Sequence, residues 1–427
     1  MSSEDSDFID DIVQDKLPEH TVPVRDNFLP WHRVRKEFIR SRQWNLLTER
    51  MVVRHWKREL QQPEHDWSFE DSPTEGAKGF EPGANTFLKR PIKCLVIPGE
   101  DLLDLRALYR DLERLNCTIR YLGFNESGGS KQTGTQVHIS NNALTSLPRI
   151  WKDSMVLHDR FEALAHEDSQ AMRYLKEYGP YHVVNLDLCG SMFPNTAKPP
   201  TEYYQALGEV LRFQCIRQNI EWLLFITTMV EPSSVHVDEF NKLCSPTRTN
   251  YDRHKDFAEL LECLVPPSTF PLTPPPSIEV SHLSEEQLIQ LFGLAFGKWL
   301  LAFCQAAQPQ WTVAMRQSFV YSMNEKKGAV MLSLAFELKP NIAPPTDVSG
   351  MTTTTQPPPK PFPTEVECAN KLVESVANIK NVEEILAKEP SLRIELRDAQ
   401  ARLLATAGYD PEAYLKWVDA GEPSSSD

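Results

Sequence analysis

Asn185 and Asp187 are polar residues set into an otherwise apolar run, YHVVNLDLCGS. Alternation along a strand puts both on one face and leaves Asp187 at the run's carboxyl end. A buried strand must give such groups partners, because an unsatisfied polar group there costs about 1–3 kcal/mol. The pair therefore reads as a place where a ligand or substrate is oriented. Two further clusters end apolar runs in the same way: Ile97-Pro98-Gly99-Glu100-Asp101 and Leu122-Gly123-Phe124-Asn125-Glu126. The first holds a single glycine and no GxGxxG. Its two acids stand where a helical pattern begins and would repel a phosphate, which argues against a dinucleotide or a nucleoside triphosphate. Glu100 and Asp101 have a second reading as caps of the following helix, and Asn125 as a plain turn residue.

A different chemistry is offered by WHRVRKEFIRSRQWNLLTERMVVRHWKREL. Arg33, Arg35, Lys36, Arg40, Arg42, Arg54, Lys57 and Arg58 are interleaved there with Trp31, Trp44 and Trp56. Phosphate-binding cations beside stackable rings are what contacts to RNA or DNA need. The alternative is a helix that buries its tryptophans on the main domain and pairs its cations with the chain's own carboxylates.

The elements that must position these residues follow from periodicity. IKCLVI, CTIRYLGFN, YHVVNLDL and EWLLFITTMV are short, β-branched apolar runs, and the segments between them have helical spacing, as in DLLDLRALYRDLERL and YYQALGEVLRFQCIRQN. Such alternation predicts a mostly parallel, doubly wound α/β sheet with helices on both faces. VHIS reads as a short strand and residues 147–178 as mainly helical. WTVAMRQSFVYSMN and GAVMLSLAFELKP are two β-rich runs separated by only a few residues, which demands an antiparallel hairpin. The chain divides into a disordered acidic arm (1–25), the basic helical segment (26–62), a linker (63–90), a Rossmann-like domain (91–340), a Pro/Thr-rich linker (341–363) and a small C-terminal helical bundle (364–421).

A parallel sheet that finishes in an antiparallel hairpin resembles the class I, S-adenosylmethionine-dependent methyltransferases over roughly residues 91–340. That resemblance implies S-adenosylmethionine as cofactor, whose sulfonium and amino group tolerate acids better than a phosphate does. It places Pro98, Gly99, Glu100 and Asp101 in the cofactor loop, puts Asn125 or Glu126 where the ribose hydroxyls bind, and has Asn185 and Asp187 orient the methyl acceptor. The activity implied is methyl transfer, and the basic segment points to a nucleic acid as what is acted on or bound. The other function consistent with these residues is a catalytically inactive methyltransferase-like scaffold that docks a nucleic acid or partner proteins in a larger complex, with the C-terminal helices as a protein-binding element.

Composition narrows the field. The 427 residues carry a formal charge of −14, from 45 Lys+Arg against 59 Asp+Glu, which opposes nucleic-acid binding by the surface as a whole and leaves it to the basic segment. The eight cysteines show neither CxxC nor Cys/His ligand spacing, so neither a disulfide framework nor a metal site is expected. An acidic start and the lack of a long uncharged apolar run point away from a signal peptide or membrane span. An intracellular place, cytoplasmic or nuclear, is expected.

Overall fold

The computed structural model describes residues 24–61, 91–115, 117–126, 131–188, 190–192, 194, 201–270, 278–323, 330–342 and 361–423. The expected arm and both linkers fall largely outside these residues. Five strands, β1 (Pro91–Val96), β2 (Thr118–Phe124), β3 (Met155–Leu157), β4 (Val183–Asp187) and β5 (Trp222–Met229), run parallel in the order β3-β2-β1-β4-β5. Beyond β5 the direction reverses. β6 (Trp311–Met315) and β7 (Phe319–Ser322) both pair antiparallel with β8 (Val330–Pro340), which in turn lies antiparallel to β5, and β9 (Lys380–Asn381) adds a short parallel edge to β7. The fold is thus a Rossmann-like α/β sheet with an antiparallel end.

Thirteen α-helices cover the sheet among the described residues. α1 (Val34–Ile39), a π-helical turn (Arg40–Asn45) and α2 (Leu46–Gln61) form one continuous N-terminal helix. α3 (Leu103–Asp111), α4 (Lys131–Thr145), α5 (Gln170–Tyr178) and α6 (Thr201–Arg217) are the parallel crossovers. α7 (Val237–Arg253), α8 (Lys255–Glu262) and α9 (Glu285–Ala306) join β5 to β6, and α10 (Glu365–Val376), α11 (Val382–Lys388), α12 (Pro390–Ala405) and α13 (Pro411–Asp419) follow β8.

Both faces of the sheet are covered, so its central strands read as continuous apolar runs. Leu95, Leu122, Val184, Leu186, Leu224 and Ile226 enter one core with α5, α6, α7, α9 and α10. Cys94, Val96, Tyr121, Val183, Leu223 and Phe225 enter the other with the N-terminal helix, α3, α4 and α11 to α13. The C-terminal helices therefore divide between the two faces. α10 closes the first core by packing on α9, where a Cβ added at Gly297 would meet Leu372 at 3.2 Å. α9 is long and apolar enough to cross a membrane by length and composition, but 72% of its apolar window is buried in this core.

Two local expectations are corrected. VHIS lies inside α4, where Val137, Ser140 and Leu144 are buried at helical spacing. The third parallel strand lies instead at Met155–Leu157, within the stretch read as helical. Runs of three or four residues are too short for either period to declare itself.

The hairpin carries an irregularity. Met315 faces Phe336 and Phe319 faces Ser333, so Arg316-Gln317-Ser318 oppose only two residues of β8 and form a β-bulge. Opposite it sits the π-helical turn. The Gln43 amide donates to the carbonyls of Gln317 (2.9 Å) and Ser333 (3.0 Å) and accepts from the Ser333 hydroxyl (2.7 Å).

Candidate functional site

In an open α/β sheet the crevice for a ligand lies beyond the carboxyl ends of the strands at the point where strand order reverses, here between β1 and β4. The loop after β1 is fastened on both sides. The Ile97 N–H donates to the Asn185 carbonyl (3.1 Å), and the Asn125 amide donates to the Pro98 carbonyl (2.7 Å). Pro98, Gly99 and Asn125 are thus brought together, as the spacing implied, with Asn125 bracing the loop. Glu126 turns away to an exposed ion pair with Arg160 (3.2 Å).

The acids of this loop are engaged by residues far away in the chain. Asp101, 3% exposed, accepts from Arg25 (2.5 Å), the Tyr409 hydroxyl (2.8 Å) and Gln136 (3.2 Å). Glu100 lies 3.5 Å from Arg25. Burial and the neighbouring Asp101 hold its carboxyl above the usual range, against the pull of Arg25. Arg25 stacks over the Tyr409 ring, and its backbone bridges the turn between α12 and α13. Leu102, the next residue of the loop, has φ +51° and a fully buried side chain. A branched residue in the left-handed region is strained, and such strain collects at ligand-binding loops.

Asn185 and Asp187 both face the N-terminal helix. Asn185 is 6% exposed, its Oδ1 has no hydrogen-bond donor among the described residues, and it lines a cavity of about 20 Å³ with Trp44, Thr48 and Asp104. Asp187 accepts from Lys36 Nζ at 2.6 Å. The same ammonium donates to the Tyr321 hydroxyl (3.2 Å) and lies 4.7 Å from the centre of the Trp44 ring. Burial opposes the charge on Lys36, but Asp187, Tyr321 and Asp104 outweigh it and hold its pKa above the ordinary value. Burial pushes the Asp187 carboxyl up, and the ammonium opposes that shift.

The rest of the basic segment is placed likewise. Arg33 and Arg35 reach Glu422, Arg35 also reaches Glu383, and Arg40 pairs with Asp104 at 2.7 Å. Arg42 pairs with Glu395 on the surface, and Arg54 with the buried Glu337 at 3.1 Å. Arg33, Lys36 and Arg40 are each at most 4% exposed. The side chains of Lys57 and Arg58 lie outside the described residues. A cationic helix that crosses an acidic protein's sheet finds carboxylates on every side, and burial makes the pairings of Arg33, Lys36 and Arg40 obligatory.

The sequence did not mark Tyr321, Arg25, Gln136 or Tyr409 as site residues. Tyr321 lies in a β-rich run and Tyr409 in the C-terminal helical bundle, and nothing local marks either as a partner of a carboxylate. No curated protein matches the chain. A family model described as PP_RS20740-like matches residues 25–419, and the chain belongs to that family.

Proposed function

We propose that this chain is a methyltransferase-like scaffold that works by binding partners and whose cofactor crevice is closed by its own side chains. One observation carries the reading: both carboxylates at the crevice mouth are already paired, Asp187 with Lys36 and Asp101 with Arg25. The antiparallel end of the sheet supports the methyltransferase-like part, since class I methyltransferases close their sheet in that way. An incoming cofactor has to part Asp101 from Arg25, and an incoming acceptor has to displace a buried ammonium to reach Asp187. Breaking such a pair costs about 3–5 kcal/mol, or roughly two to four orders of magnitude in affinity. In this reading the basic helix serves the fold, and partner binding falls to the outer surfaces of α11 to α13.

The test is calorimetric titration of the full chain with S-adenosylmethionine. No saturable heat up to millimolar cofactor is expected. Saturable binding that disappears in Asp101→Ala would overturn the reading in favour of a second one, an S-adenosylmethionine-dependent methyltransferase acting on nucleic acid with Asn185 and Asp187 at the acceptor. Two features favour that second reading: the strained Leu102 in the loop, and the space at Gly99 and Gly190, where an added Cβ meets none of the described residues within 4 Å. Arg42 and Arg54, each about two-fifths exposed, are then cations within reach of a phosphate.

A further inference from the structure

We infer that Asp187, Tyr321 and Trp44 form a recognition site for a small organic cation of the alkylammonium class, and that Lys36 is its built-in occupant. The site combines a carboxylate oxygen at 2.6 Å, a phenol oxygen at 3.2 Å and an indole face at 4.7 Å around one ammonium. A carboxylate with an aromatic face is how proteins recognise organic cations, because the ring quadrupole adds to the charge once water is removed. Asp187 and Tyr321 belong to the sheet, whereas the ammonium arrives on the N-terminal helix, which also carries Trp44. The two ends of the ion pair also differ in exposure. Lys36 retains 5% of its side-chain surface and Asp187 retains 16%, so the site opens to solvent on its carboxylate side. An external cation of the same chemistry therefore competes with the Lys36 side chain for Asp187, while the helix that carries Trp44 stays docked.

This inference rests on the closed-crevice reading but is tested separately. Lys36→Ala removes the occupant and leaves the recognising groups. Thermal unfolding of the full-length variant is followed with propylammonium chloride, with propanol as a neutral analogue of the same shape, and with sodium chloride at equal ionic strength. At about ten times its dissociation constant, propylammonium is expected to raise the midpoint of Lys36→Ala by about 1.5–2 °C. Propanol, sodium chloride, the wild-type chain and the double variant Lys36→Ala/Asp187→Asn should show no such rise. An equal rise with propanol or sodium chloride, a rise that survives Asp187→Asn, or no rise at all overturns the inference. If Lys36→Ala does not fold unaided, the additives are compared in refolding from urea. Recovery with propylammonium alone supports the site, and recovery that does not depend on the cation overturns it.

Discussion

His32 lies fully buried against Phe28 and Tyr409, its Nδ1 accepting from the Leu29 N–H at 3.1 Å. Burial, reinforced by the nearby Arg40 and Arg25 cations, pushes the imidazole down from 6.5 to about 3. A base depressed in the folded state stabilises the fold above its unfolded pKa, and that stability is lost as pH falls from 6.5 toward 3. Between pH 7 and pH 5 this residue alone removes on the order of 2 kcal/mol. Urea unfolding at the two pH values should show that loss in the wild type and a much flatter response in His32→Phe. Equal losses would assign the effect elsewhere. At the same scale, the place of Asp187 was legible because strand alternation is a local rule. Its partner was not, since Lys36 stands 151 residues earlier and no spacing links them.

The elements themselves were read well wherever a run was long enough to show its period. β1, β2, β4 and β5, the helices α3 and α6, and the closing hairpin all followed from composition and alternation. The π-helical turn and the β-bulge did not, because each interruption is satisfied by the other across a gap of 274–290 residues. Gln43 is the link. Gln43→Leu keeps the volume but strips a bulge carbonyl and a strand carbonyl of the Gln43 donor and leaves the Ser333 hydroxyl only Thr227. Unfolding in urea should place this variant about 2 kcal/mol or more below the wild type. A neutral result would mean that the two irregularities stand independently.

On the scale of the whole molecule, the C-terminal helices are structural parts of both cores. α10 supplies Cys368, Ala369, Leu372, Val373 and Val376 to one, while Leu396, Leu403, Leu404, Tyr409 and Tyr414 belong to the other. Its ion pair between Glu365 and the buried Lys298 ties α10 to α9 as well. A chain ending at residue 360 is therefore expected to be insoluble, or recovered with exposed apolar surface that binds a hydrophobic dye. A soluble, cooperatively unfolding product of that length would show that these helices form a separable unit.

The clasp between Arg33 and Glu422 also sets an order of events in the cell. Arg33 donates to the Glu422 carbonyl, a separation of 389 residues. Arg25 and Asp101 likewise wait for Tyr409. A ribosome adding about 5–20 residues per second needs roughly 20–80 s to cover that distance. Throughout that interval the N-terminal helix, the first described element to emerge, has a ready sheet forming behind it but no clasp. Arg33 stays solvated and accessible to chaperones until Glu422 has left the tunnel.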